Sequence, residues 1–310
     1  MGNTIKGLAL TGPTASGKTK LSVNIALSLQ SRGVKCNIIN ADSKQVYQGV
    51  PIITAQPTAA ERRGVEHLLF GYVSNAKCLS SRYSVESWLS DCTAQIEKNI
   101  ASNIFTIIVG GTMFYINSLF QTPSPLPPIA KQTEQDAVEL YNKIGHDEFT
   151  KLVETQSKWG KTDRHRLLRN YCFVKQYQKP IEYFHALQMP IVSKYNAIFK
   201  KYVLLPPREK IYGWCNSRFN DMMTEGVLEE VEAMLKNGPV CDAIYTSSGF
   251  KYIEAFLQGK IDTTAAIALS QQETRHYAKR QTTWINNQLG QDYTIHPTAN
   301  DIIANLSWLF

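Results

Sequence analysis

Gly12-Pro13-Thr14-Ala15-Ser16-Gly17-Lys18-Thr19 is the stretch that decides how this chain is read. It fits G-x-x-x-x-G-K-[ST], the pattern of a phosphate-binding loop. Before it, Leu8-Ala9-Leu10 reads as the end of a buried strand. After it, Leu21, Ile25 and Leu29 recur at four-residue steps, which predicts a helix. Glycine lets the backbone turn tightly and aim successive N–H groups at one anion, and the helix N-terminus adds partial positive charge. Lys18 has the length to reach a terminal phosphate, and the Thr19 hydroxyl is a candidate ligand for Mg²⁺. The loop specifies phosphate; it does not say which phosphorylated molecule.

Working outward, Lys35-Cys-Asn-Ile-Ile-Asn-Ala-Asp42 reads as a second strand ending at Asp42. In open α/β sheets, ligands sit beyond the carboxyl ends of the strands, so Asp42 should face the same crevice as Lys18. Three roles compete for it: magnesium ligand, general base or turn former. Ser43, Lys44 and Gln45 follow with an unusual density of hydrogen-bonding groups for a short connection. His67, at an apolar edge, reads as a structural residue. Ser84 can cap a helix from Val85 to about Asn99. Ile104-Phe-Thr-Ile-Ile-Val109 is a continuous apolar run of strand length, the best candidate for a central parallel strand. Gly110-Gly111-Thr112 follows it. Two glycines permit close backbone approach, and Thr112 offers a hydroxyl. Met113, Tyr115, Ile116, Leu119 and Phe120 then form an apolar helix.

Thr122-Pro-Ser-Pro-Leu-Pro-Pro128 breaks this pattern. The expected organisation is a core of residues 1–126 and 196–310 interrupted by a helical insertion, 127–195. Within the insertion, residues 161–180 hold Lys161, Arg164, Arg166, Arg169, Lys175 and Lys179 against one acid, Asp163. Arg166 and Arg169 share a helical face, and the balance of charge suits a phosphate backbone. Beyond the insertion, Tyr202-Val-Leu-Leu205 returns to strand character. Phe219, Met222, Met223, Val227, Val231, Met234 and Leu235 repeat at three and four, which predicts one amphipathic helix with methionines as core filling. Arg218 sits beside that face, within reach of the phosphate crevice. Thr246-Ser247-Ser248-Gly249-Phe250-Lys251 reads as a polar loop before a helix. The last long helix presents Arg275, Lys279 and Arg280 as cations for a phosphate strand, with Tyr277, Gln281 and Trp284 on a packing face.

The chain has 310 residues, 43% hydrophobic and 19% charged, as in an ordinary globular protein. No 18-residue apolar run exists, so no membrane span is expected. The opening Met1-Gly-Asn-Thr-Ile-Lys6 runs into the first strand within a few residues, which leads us to expect a cytoplasmic protein without a cleavable signal. The six cysteines are scattered with no C-x-x-C pair, so neither a zinc ribbon nor a redox motif is indicated, and free thiols are expected. The net charge of +7 favours an anionic partner such as RNA. No apolar coiled-coil seam is present, which points to a monomer. The fold class that follows is α/β: a parallel sheet of the P-loop NTPase type flanked by helices, with a helical insertion.

Five motifs, in order, resemble those of the bacterial tRNA dimethylallyltransferases, also called tRNA isopentenyltransferases. They are Gly12–Thr19, Asp42-Ser-Lys-Gln-Val-Tyr47, Gly110-Gly-Thr-Met-Phe-Tyr115, Ser124-Pro-Leu-Pro-Pro128 and Thr274-Arg-His-Tyr-Ala-Lys-Arg-Gln-Thr-Thr-Trp284. The resemblance spans nearly the whole chain and is far more specific than the phosphate loop alone. It implies transfer of a dimethylallyl group from dimethylallyl diphosphate to N6 of adenosine 37 of tRNA. It further implies that the Gly12–Thr19 loop holds the diphosphate with Mg²⁺ on Thr19, that Asp42 is the general base, and that Thr112 contacts the reaction centre. The segments Asp42–Gln45, His165-Arg166-Leu167-Leu168-Arg169 and Thr246–Lys251 would contact tRNA. The sequence departs from the family where Asp163-Arg-His-Arg166 replaces Asp-Pro-Gln-Arg, where Gly249-Phe250-Lys251 replaces Gly-Tyr-Arg, and where Trp214 replaces an arginine. The last change leaves the diphosphate-binding arginine open: Arg218 first, Arg208 second. A P-loop kinase of a small metabolite is the alternative enzyme. It would share the loop and the acidic strand end but has no use for the basic insertion. An RNA-binding protein with a vestigial loop would not need Lys18, Thr19, Asp42 and Thr112 intact.

Overall fold

The structure, a computed structural model, describes residues 4–80, 83–123, 126–154, 164–187, 190–290 and 292–306. Ser124 of the proline-rich break and Lys161 and Asp163 of the basic run lie outside these residues. The chain divides into two compact units, one formed by residues 1–120 with 193–310 and the other by 121–192.

The first unit runs β1 (Gly7–Thr11), α1 (Lys18–Gln30), β2 (Cys36–Asn40), α2 (Ala59–Arg62), β3 (His67–Leu68), α3 (Asn75–Ser80), α4 (Val85–Ala101), β4 (Phe105–Gly110) and α5 (Met113–Phe120). The second unit follows with β5 (Gln121–Pro123), α6 (Lys131–Glu154), α7 (Arg164–Tyr177), α8 (Ile181–Leu187) and β6 (Pro190–Val192). The chain then returns through a 3₁₀ turn at Lys194–Ala197 to β7 (Phe199–Leu204), α9 (Arg208–Thr224), α10 (Val227–Lys236), α11 (Asp242–Tyr245), α12 (Phe250–Leu257), α13 (Thr263–Gln288), β8 (Thr294–His296) and α14 (Ala299–Ala304).

Six strands form a wholly parallel sheet in the order β3-β2-β4-β1-β7-β8. A parallel sheet is buried on both faces, which is why its strands are apolar throughout rather than alternating. Side-chain direction still alternates with period two. Ala9, Ile39, Ile108 and Val203 enter the core on one face, while Leu8, Leu10, Ile38, Ile107 and Val109 enter the core on the other. Leu21, Ile25 and Leu29 of α1 close the second core. Trp88, Cys92 and Ile96 of α4, Ile116 and Leu119 of α5, and the helices after β7 close the first. The Ser84 hydroxyl accepts from Ser87 N and caps α4, as its sequence signals. The carboxyl ends of β2, β4, β1 and β7 stand side by side, so Asp42, Gly110–Thr112 and the Gly12–Thr19 loop are neighbours.

The second unit packs α6 against α7 around Phe149, Val153 and Leu167. Its two ends pair as an antiparallel ladder, Gln121 with Val192 and Thr122 with Ile191.

Two expectations are corrected. The apolar run from Phe219 to Leu235 is two helices, α9 and α10, because Gly226 adopts φ 98 and turns the chain between them. The apolar spacing continues in phase across the break, so periodicity alone could not reveal it. Nor are all the cysteines free thiols. Cys78 at α3 and Cys241 before α11 form a disulfide across 163 positions. Asn75 aligns the two segments: its Oδ1 accepts from Cys241 N at 3.0 Å and its Nδ2 donates to Pro239 O at 2.8 Å. Cys36, Cys92, Cys172 and Cys215 are free and buried. No helix among the described residues is long and apolar enough to cross a membrane.

Candidate active site

β1 ends at Thr11, whose hydroxyl donates to Gly110 O at 3.0 Å and ties the phosphate loop to the end of β4. In the loop, Ala15 has φ 62, a left-handed conformation costing about 1 kcal/mol or more in a residue with a Cβ. Gly17, at φ 90, is the N-cap of α1 and supplies no side-chain cap. The first N–H groups of α1 are therefore left for an anion. Lys18 folds back over the loop and donates to Pro13 O at 2.6 Å and to Ser16 Oγ at 3.4 Å. It is buried at 9% exposure. Burial pushes its pKa down to about 7; the Asp42 carboxylate opposes the shift and the Arg218 cation adds to it.

Asp42 is held by its own turn. Asn40 Oδ1 accepts from Asp42 N, and Asp42 Oδ1 accepts from Lys44 N, both at 2.9 Å. Asn40 Nδ2 also donates to Asp42 O and Leu69 O. The second carboxylate oxygen lies toward Gly111, 3.3 Å from where a Cβ there would sit. Gly110 has no room for a side chain at all: its Cβ would lie 2.1 Å from Ala41 O. Thr112 Oγ1 accepts from Ser43 N at 2.9 Å, lies 3.2 Å from Ser43 Oγ and bonds the Tyr277 hydroxyl. That hydroxyl is pushed well above the usual phenol range, first by burial and then by the Asp42 charge.

Arg218, on α9, donates from Nη2 to Thr14 Oγ1 at 2.6 Å, and burial lowers its pKa from the usual guanidinium value. Beside these groups lies a narrow cavity. Thr14, Asp42, Arg218 and Tyr277 give it polar walls, and Ile53, Phe219 and Met222 an apolar one. Ser247 lines it as well; its hydroxyl is buried and has no hydrogen-bond partner among the described residues. Of the two arginines left open by Trp214, Arg218 lines the cavity. Arg208 instead bonds Tyr212 Oη at 2.8 Å at the exposed start of α9. The Thr19 hydroxyl, half-buried in the first turn of α1, has no hydrogen-bond partner among the described residues. Among those residues no cluster of three or more His, Cys, Asp or Glu could hold a metal. A magnesium ion here would fit as Thr19 plus phosphate oxygens and water, the sparse protein coordination this ion accepts.

The other expected contact residues fall in three places. Lys44 donates to Ala243 O at 2.6 Å and Thr246 Oγ1 at 2.8 Å, joining the turn after β2 to the segment before α12. Gln45 donates to Thr54 O and Ala55 O. Gly249 N donates to Glu273 Oε2, and Lys251 pairs with Glu273 Oε1 at 2.8 Å. Phe250 is wholly buried, so its side chain is core, while Thr246 and Lys251 are exposed and Ser248 is half-buried. In the second unit, His165, Arg166 and Arg169 are exposed on α7, while Leu167 is core. Arg275 bonds Asn216 Oδ1 at 2.5 Å; Lys279 and Arg280 are exposed.

Sequence reasoning placed Tyr277 and Gln281 on a packing face. The structure turns both into the site. Gln281 accepts from Thr14 N and donates to Gly111 O, each at 2.7 Å. The available signal was polar: Thr274, Tyr277 and Gln281 recur at helical spacing on a face that is otherwise buried.

The model of the family described as IPP transferase matches residues 45–288. The chain belongs to the IPP transferase family. Among curated relatives, the tRNA dimethylallyltransferase of Ehrlichia canis is 37% identical over 91% of this chain and 91% of its own. That of the Wolbachia of Brugia malayi is 36% identical over 96% and 97%. Among solved structures, the tRNA isopentenylpyrophosphate transferase of Bacillus halodurans superposes with a TM-score of 0.66 at 26% identity, covering 98% of this chain and 97% of that one. A eukaryotic dimethylallyltransferase, solved acting on tRNA, gives a TM-score of 0.73 at 25% identity over 97% of this chain and 76% of that one. Lys18, Asp42 and Thr112 follow the carboxyl ends of neighbouring strands, and Arg218 reaches Thr14 from α9, one helical turn after Trp214.

Proposed function

We propose that this IPP transferase moves a dimethylallyl group from dimethylallyl diphosphate to N6 of adenosine 37 of tRNA, beside the anticodon, and releases diphosphate. The observation that carries this reading is one cavity walled by a buried arginine bonded to the phosphate loop that also carries Lys18, by a fixed carboxylate, and by an apolar face. A diphosphate needs the first, an amine nucleophile the second, and a five-carbon isoprenoid the third.

The bond broken is carbon–oxygen. Lys18, Arg218 and the loop amides would take up the negative charge that grows on the departing diphosphate, in a site already sheltered from water. Binding that anion restores the proton that burial takes from Lys18. A magnesium ion on Thr19, when bound, would neutralise further diphosphate charge. On the other side, an exocyclic amine is a weak nucleophile, and Asp42 is held by Lys44 N with its second oxygen left to accept the N6 proton as the carbon–nitrogen bond forms. A stacked adenine cannot enter a crevice at strand ends, so the base must leave its stack. Exposed Arg166 and Arg169 on α7, and Lys279 and Arg280 on α13, would supply charge for the RNA backbone, and His165 is exposed beside the first pair.

Incubation with labelled dimethylallyl diphosphate, Mg²⁺ and unmodified tRNA, followed by nucleoside analysis, tests this. Label in N6-dimethylallyladenosine is the expected result. Label absent from RNA, or phosphoryl transfer from ATP to a small acceptor instead, would end the proposal.

A further inference from the structure

We infer that Gln281 is a positioning residue that sets the diphosphate cradle from the last long helix. The inference rests on the function proposed above for its substrate, though not for its geometry. Gln281 is 5% exposed, and both ends of its carboxamide are engaged. Oε1 accepts from Thr14 N in the phosphate loop; Nε2 donates to Gly111 O in the turn after β4. Those are the two glycine-bearing loops of the site, on adjacent strands, and the same side chain fixes the gap between them. Thr14 is also the residue that Arg218 grips through its hydroxyl. Gln281 therefore holds the backbone of the residue whose side chain orients the arginine. A Cβ on Gly111 would lie 2.6 Å from Gln281 Nε2, so the absence of a side chain at Gly111 is what lets the amide close on the turn. Only a carboxamide of this length satisfies both partners at once: the loop offers a donor and the turn an acceptor.

The test uses the full chain and three variants. Gln281→Leu removes both bonds, Gln281→Asn shortens the reach, and Gln281→Glu keeps the acceptor for Thr14 N while losing the donor toward Gly111 O. Binding of inorganic pyrophosphate and of unmodified tRNA is measured separately by calorimetry, and steady-state KM and kcat are measured for dimethylallyl diphosphate. We expect Gln281→Leu and Gln281→Asn to weaken pyrophosphate binding and raise that KM by about tenfold, the scale of two lost hydrogen bonds, with tRNA affinity unchanged. Gln281→Glu should show the same defect at pH 8 and lose it as pH falls, relative to wild type at each pH, because the protonated carboxyl again donates to Gly111 O. A variant with a lower melting temperature but wild-type pyrophosphate affinity and KM would overturn the inference, as would a Gln281→Glu defect that ignores pH. If wild type fails to prenylate tRNA while pyrophosphate binding still responds as described, the function proposed above falls and the positioning role stands.

Discussion

Lys18 is the residue at which binding and stability oppose each other. Its pKa falls from 10.5 to about 7 on folding because the ammonium is taken out of water. Between those values the unfolded chain holds a proton that the folded one does not, so this group makes stability rise with pH through that window. Below about pH 7 the folded state carries the full penalty of a buried charge. Lys18→Met is therefore expected to be more stable than wild type at pH 6, by about 1–3 kcal/mol in urea unfolding, with the gap closing toward pH 10. The same variant should no longer bind pyrophosphate. Asp42 gives the complementary case: it is fixed by Asn40 and Lys44 and lies at the cavity wall. Asp42→Asn is expected to bind tRNA normally in filter assays and to lose about 10²- to 10⁴-fold in single-turnover transfer, the usual worth of a positioned base.

At the scale of elements, what was legible in the sequence had a local cause. A phosphate loop is contiguous, and a buried parallel strand writes a continuous apolar run, so β1, β2, β4 and β7 could be read directly. β3 and β8 are edge strands of two and three residues, too short to carry a pattern. The break between α9 and α10 hides inside an unbroken apolar rhythm, and Tyr277 and Gln281 share the spacing of packing residues while serving the site. Gly226 tests the first of these. An added Cβ there would meet nothing closer than 3.4 Å, so Gly226→Ala feels only its φ of 98 and should cost about 1–2 kcal/mol in urea unfolding without touching transfer. α7 carries an electrostatic prediction. Arg169 is exposed, so Arg169→Ala should weaken tRNA binding, flatten the slope of log affinity against log salt by about 0.9, and leave the KM for dimethylallyl diphosphate alone.

For the whole molecule, the Cys78–Cys241 bond joins segments that no spacing rule could have paired, and it closes a loop running through both units. Loop-closure entropy for that length sets an upper limit of about 5 kcal/mol on its contribution. Reduction with a phosphine, or Cys78→Ala, should lower the urea midpoint equally, and the two treatments together should do no more than either alone. The second unit has a different bearing on the whole. The chain leaves at Phe120 and comes back at Ser193, whose N–H donates to Phe120 O at 2.9 Å, and the next residues outward zip together as β5 and β6. Such a stem makes the excursion a cassette: exit and re-entry share one doorway, and a tight turn could seal it. Recombination between relatives could thus exchange the cassette whole while the six-stranded sheet stays untouched.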